Sequence, residues 1–133
     1  MRKLVLVFVG GALGSVARYL IGLWAATSFG PGFPVGTLTV NLAGSFLISV
    51  LFEASLRSTA IPVDLRLFLT TGIMGGLTTY SSFNYETLRL FDDGAVGAAL
   101  LNMAVTVLGC LAAGTLGLLL VRALLRAGAG AAG

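Results

Sequence analysis

The sequence predicts an all-α membrane protein: one transmembrane domain, residues 1–133, with four crossing helices and a break in the third. Three observations predict it. Hydrophobic residues make up 57% of the chain and charged residues 10%, against roughly 25% charged in soluble domains. Mean hydropathy is +1.02. A soluble domain of about 150 residues still exposes about a third of its unfolded surface, which leaves nowhere to hide this much apolar side chain; a bilayer solvates it instead. Finally, four apolar stretches each approach the roughly 20 residues that cross a hydrocarbon core.

The first stretch runs from about Leu4 to Ala26. Arg2-Lys3, an apolar run and Ser15-Val16-Ala17 resemble a secretory signal with its cleavage site, but the apolar pattern continues through Tyr19-Leu20-Ile21 to Ala26, long enough to span. The second runs from about Val35 to Leu56, the third from about Leu65 to Leu90, and the fourth from about Ala95 to Leu125. The connectors are Thr27–Pro34, Arg57–Asp64 and Phe91–Gly94, and the small-residue tail Ala127–Gly133 is expected to fray.

Composition excludes several functions. One cysteine, Cys110, and no histidine leave no intrachain disulfide, no structural zinc ligand set and no imidazole for proton relay. The net charge of +3 is scattered at segment ends, which is not a nucleic-acid footprint. No nucleophile, base and orienting group fall together, so no enzyme is expected.

Polar residues inside a bilayer are costly and tend to face protein or a water path. In the first stretch Gly10 and Gly14 form a small-xxx-small packing face, and Arg18 lies about two-thirds along the span, to snorkel outward or face an ion vestibule. In the second, Asn41, Gly44 and Ser45 share a helical face, as interhelical glue or as pathway. In the third, Gly75-Gly76 precede Thr78-Thr79-Tyr80-Ser81-Ser82-Phe83-Asn84-Tyr85-Glu86. Adjacent glycines and consecutive hydroxyls weaken a helix, and unwound backbone at membrane depth persists only where protein or a cavity satisfies it. In the fourth, Asn102, Thr106 and Cys110 form one stripe at i, i+4 and i+8. Hydroxyls, amides and the positive ring edges of Tyr80 and Phe83 suit a small anion, while the carbonyls of a broken helix suit a cation. Four short helices leave little room for a pore, so a symmetric dimer is expected.

The stretches Gly10 to Tyr19, Gly36 to Phe46 and Gly72 to Glu86 together resemble the Fluc (CrcB) fluoride channels, in order and over nearly the whole chain. The resemblance implies antiparallel dimers of four-helix subunits with two narrow pores, passive export of cytoplasmic fluoride and rejection of chloride. It implies a structural sodium ion at the dimer centre, on backbone carbonyls that correspond to Gly75 and Thr78. The pore phenylalanines correspond to Tyr80 and Phe83, with Thr79, Ser81 and Ser82 beside them. The pore asparagine corresponds to Asn41, the polar track to Asn102, Thr106 and Cys110, the vestibule arginine to Arg18 and the acidic residue to Glu86. The chain departs from the family's pattern at three places. Tyr80 stands for a phenylalanine, Ser81-Ser82-Phe83-Asn84 for Ser-Thr-Phe-Ser, and an Asn-Thr-Cys track for an aromatic and two serines.

Lys and Arg set orientation. Arg2, Lys3, Arg57, Arg66, Arg122 and Arg126 fall on the N-terminal side, and Arg89, plus Arg18 if it reaches that interface, on the other. This bias predicts a multi-pass protein of the cell membrane with both termini cytoplasmic. A homodimer of opposed subunits calls for balanced charge, so the bias points to a related, oppositely oriented partner as the alternative to a homodimer. Two other readings compete: a small four-helix drug/proton antiporter, which needs a carboxylate in the first helix where this chain has Arg18, and a non-conducting partner subunit of a heterodimeric channel.

Overall fold

A computed structural model describes residues 1–57 and 61–130. Positions 58–60 of the second connector and residues 131–133 of the tail lie outside the described residues. Four spans are built from helices α1 (Arg2–Phe29), α2 (Val35–Arg57), α3 (Val63–Leu67), α4 (Gly75–Leu77), α5 (Tyr80–Asp92) and α6 (Val96–Gly130), with a π-helical segment, Phe68–Met74, joining α3 to α4.

α1, α2 and α6 are each long and apolar enough to cross a membrane. The third span is divided. Pro62 precedes α3 and Asp64 sits in its first turn, a favourable pairing of fixed φ and negative charge at a helix start. The chain then widens into the π turn, returns to α-helix at Gly75, and unwinds at Thr78 and Thr79, both extended. The weakening expected at Gly75-Gly76 is therefore realised as a π turn before the glycine pair and an extended break after it.

Gly30 and Gly94, at φ 75° and 76°, close α1 and turn the chain into α6, a conformation that glycine adopts without strain. α6 extends past the anticipated end at Leu125 to Gly130, so the first four residues of the tail are helical; the alanines of this run favour helix and its alternating glycines oppose it. At 35 residues and about 1.5 Å per residue, α6 exceeds the roughly 30 Å hydrocarbon thickness, so it tilts or emerges at the end that carries Arg122 and Arg126.

Packing depends on small residues. Gly10 and Gly14 of α1 are buried against the third span; a Cβ on Gly10 would lie 2.7 Å from the Phe68 carbonyl oxygen and 2.8 Å from Gly72 Cα. On the other side, α6 packs along α2, and a Cβ on Gly117 would meet the Phe46 carbonyl at 2.6 Å. Such backbone approach is the main source of helix association where lipid is as apolar as leucine. The buried apolar centre is small: Val40, Met74 and Leu77, with Ala17, Ile21, Ile48, Leu51 and Ile73 around it. Most large apolar side chains point outward, among them Leu4, Phe8, Leu13, Leu108 and Leu111. Polar groups take the interior, the pattern of a lipid-solvated bundle.

Candidate ion pathway

The break at Thr78–Thr79 is held from α2. Asn41 is buried, and its Oδ1 accepts a hydrogen bond from Thr79 N–H at 2.8 Å while its Nδ2 donates to the Thr79 carbonyl at 3.0 Å. One amide side chain thus replaces the helical partners of one backbone unit. Thr78 leans the other way, its N–H and its Oγ1 both donating to the Met74 carbonyl. Gly44 of α2 lies directly beneath the Thr78 methyl, in space that a Cβ would fill.

Thr79 then caps α5. Its Oγ1 accepts from Ser82 N–H at 3.1 Å and donates to Ser82 Oγ, with Ser81 Oγ 3.2 Å away. This is the side-chain cap that a helix start requires. Two carbonyls lose their usual partners as a result. Thr79 N–H, which would serve the Gly75 carbonyl in a continuous helix, goes to Asn41. Ser82 N–H, which would serve the Thr78 carbonyl, goes to Thr79 Oγ1. Gly75 lies on the exposed side of the span.

Beside the break is a groove of about 330 Å³ between α2, α5 and α6. It brings together Asn41, Thr78, Thr79, Tyr80 and Phe83 with Thr106 and Cys110, and Gly44, Ser45 and Ile48 complete the α2 wall. Tyr80 is exposed and Phe83 buried; their ring centroids are 5.5 Å apart at 55°, a tilted pair in the favourable range. The groove therefore joins aromatic edges to a hydroxyl and thiol stripe, starting where α5 presents its first-turn N–H groups.

Behind the groove a hydrogen-bond chain links α5 to α6. Thr87 Oγ1 donates to the Phe83 carbonyl at 2.7 Å, Asn102 Nδ2 donates to Thr87 Oγ1 at 2.9 Å, and Thr106 Oγ1 donates to Asn102 Oδ1 at 3.4 Å. Asn102, 1% exposed, is a buried anchor of the stripe, not part of the groove wall. Sequence reasoning missed Thr87; its place one turn after Phe83 was the available signal.

Glu86 stands apart from the groove, in a cleft of about 360 Å³ with Gly36, Thr37, Tyr85, Arg89 and Asp93. Thr37 Oγ1, also missed from sequence, donates to Glu86 Oε1 at 2.8 Å, while the buried Oε2 has no partner among the described residues. Arg18 is half-buried on α1 and is not among the groove-lining residues. Ser81 and Ser82 belong to the cap and not to the wall. Glu53, buried on α2, is bound by Arg57 and by Arg122, the latter at 2.8 Å.

An interrupted third span, a side-chain amide that holds it open and an adjacent polar groove define a helical membrane protein with a candidate ion pathway. The family described as "CrcB-like protein, Camphor Resistance (CrcB)" matches residues 5–118, and the chain belongs to this family. It is 60% identical to the fluoride-specific ion channel FluC of Anaeromyxobacter dehalogenans over 122 residues, covering 92% of this chain and 97% of the relative. It is 50% identical to that of Geobacter metallireducens over 92% and 98% of the two chains, and 45% identical to that of Agrobacterium fabrum over the same shares.

Proposed function

We propose that the chain is a subunit of a fluoride-selective, passive channel of the cell membrane, not an enzyme, and that it works as an antiparallel dimer. The observation that carries this reading is the groove that gathers Asn41, Thr79, Tyr80, Phe83, Thr106 and Cys110 at the break, in a chain 60% identical to a protein named as a fluoride-specific channel. Fluoride is small and strongly hydrated. A pathway must replace its water with donors yet hold it weakly enough to release it. The hydroxyls of Ser45 and Tyr80, the Cys110 thiol and the first-turn N–H groups of α5 supply the donors, and the rings of Tyr80 and Phe83 supply weakly positive edges and exclude larger solutes. The Thr37–Glu86 pair and Arg18 would line the approaches. Nothing in the proposed path requires a titrating base.

The sodium reading fits the donors present. No group of three His, Cys, Asp or Glu stands together among the described residues, so a cation here would rest on neutral oxygens. The Gly75 and Thr78 carbonyls, whose helical partners are diverted, are suitable for a hard cation. A sodium ion held by these carbonyls would supply fixed positive charge at the break.

The partner follows from charge. Six of the eight Lys and Arg residues lie at one end; contacts of Arg2 with Asp64 and of Arg57 and Arg122 with Glu53 join three of them there. Such a chain inserts with that end, and both termini, in the cytoplasm and pairs with a related subunit of opposite orientation.

Fluoride efflux from liposomes reconstituted with this chain alone, followed with a fluoride electrode and with chloride as comparison, tests the function. Fluoride release without chloride release supports the channel and shows that a homodimer suffices. If folded protein releases neither ion alone but releases fluoride with an oppositely biased relative, the one-orientation partner stands. Failure in both arms sinks the channel reading. An exchanger would instead need a carboxylate in the first helix, where this chain has Arg18; Glu53 is already held by two arginines, and Glu86 lines a separate cleft outside the groove.

A further inference from the structure

We infer that the basic end of the molecule carries a binding site for the phosphate of an anionic phospholipid, in the groove between the end of α2 and the start of α3. This groove, about 430 Å³, is lined by Ser55, Leu56, Arg57, Pro62, Val63 and Arg66, with Ile61. Its lining combines two arginines with apolar side chains. Leu56 and Val63 are 75% and 60% exposed, in a position to run along acyl chain while the arginines hold the head. An amphiphilic anion satisfies both halves of this lining; free phosphate satisfies only the guanidinium half.

Arg57 is presented for this role. Glu53, itself 5% exposed, takes hydrogen bonds from the Nε of both Arg57 and Arg122 on the same Oε1. Both contacts run through Nε, so each guanidinium is steered from one edge while its side chain stays about half exposed, 50% for Arg57 and 43% for Arg122. One carboxylate against two guanidiniums leaves a net positive charge at the end of a span. A planar fork of that kind is the group best matched to phosphate oxygens, and basic residues at a membrane surface each add to attraction for anionic lipid. Arg66 lines the same groove from α3. None of these residues belongs to the proposed ion pathway, so the inference does not depend on the fluoride reading.

The test is native mass spectrometry of the detergent-purified protein incubated with equal amounts of dioleoyl phosphatidylglycerol and dioleoyl phosphatidylcholine. The protein is expected to retain phosphatidylglycerol in preference, and the preference should fall by roughly fivefold for each of Arg57→Gln and Arg66→Gln. Arg57→Lys, which keeps the charge and loses the fork, should lie between; it also serves if Arg57→Gln does not fold. Arg89→Gln, at the opposite end, should change nothing. Added inorganic phosphate that displaced the lipid at equal concentration would reassign the groove to a free anion. Equal retention of both lipids, or a preference undiminished from the parent in both Arg66→Gln and Arg57→Lys, would overturn the inference.

Discussion

Asn41 and Thr79 form a closed pair: the carboxamide accepts from the Thr79 N–H at 2.8 Å and donates to the Thr79 carbonyl at 3.0 Å. The pair converts what would be an unsatisfied backbone unit at membrane depth into a fixed bend. Asn41 is thus both groove wall and the brace that keeps the Gly75 carbonyl free of its helical partner.

Replacing Asn41 by Leu should therefore do more than remove a polar wall. Two buried hydrogen bonds are lost and a backbone donor and acceptor are left without partners, a cost on the order of 2 kcal/mol or more. The expected outcome is a lower Tm in detergent together with loss of fluoride efflux. Asn41→Asp keeps the acceptor for Thr79 N–H but sets a carboxylate oxygen against the Thr79 carbonyl, so it should fare no better. Efflux at the parent rate from either variant would show that the break holds itself.

The close approach of α1 to the third span makes an equally local prediction. Gly10→Ala places a Cβ within 2.7 Å of the Phe68 carbonyl oxygen and 2.8 Å from Gly72 Cα. Both obstacles are backbone and cannot swing aside, so a cost of about 1–3 kcal/mol is expected. Gly97→Ala in α6 meets nothing within 4 Å and should be neutral or slightly stabilising, since alanine is the better helix former. The fraction of protein that stays monodisperse after heating in detergent compares the two.

Thr87 ties the Phe83 carbonyl to Asn102, and the tie should appear as coupling. Thr87→Val removes the acceptor of Asn102 Nδ2 and leaves that buried amide donor unpaired, costing roughly 1–2 kcal/mol. Asn102→Leu alone frees Thr106 Oγ1 as well. Because Thr87→Val followed by Asn102→Leu removes both partners together, the double variant should lose less stability than the sum of the singles. Additive losses, measured as Tm shifts in one detergent, would mean that the two side chains do not interact.

Much of this architecture was legible in the sequence because a membrane imposes it. Helix length and apolar run must match the bilayer, so Leu4–Ala26 and Val35–Leu56 anticipated α1 and α2 within a few residues. The glycine pair at Gly75-Gly76 and the hydroxyls after it signalled a broken third span through propensity alone. The site was legible only in part. That Asn41, Gly44 and Ser45 share a wall follows from helical periodicity. That both ends of the Asn41 amide go to Thr79 depends on how α2 sits against α5, which no spacing encodes. Thr37, Thr87 and the separation of Glu86 from the groove were hidden for the same reason: each is fixed by a partner 15 or more positions away. The reach of α6 to Gly130 was missed because an alternating Ala-Gly run reads as a frayed tail, its alanines favouring helix and its glycines opposing it.

The arrangement at Glu53 yields the last prediction, in the order of three variants. Glu53 accepts from both Arg57 and Arg122, so it alone keeps two guanidiniums from facing each other across α2 and α6. Removing one arginine leaves one ion pair intact, and the remaining guanidinium is half exposed and screened. Removing the carboxylate leaves two like charges side by side with no counter-charge, the more harmful break. Glu53→Gln should therefore melt at a lower temperature than either Arg57→Gln or Arg122→Gln, and the deficit should shrink as salt screens the repulsion. Fluoride efflux by whatever fraction remains folded should match the parent, because this cluster lies outside the groove. If Glu53→Gln melts with the parent while either arginine variant melts early, the arginines matter for lipid and not for Glu53.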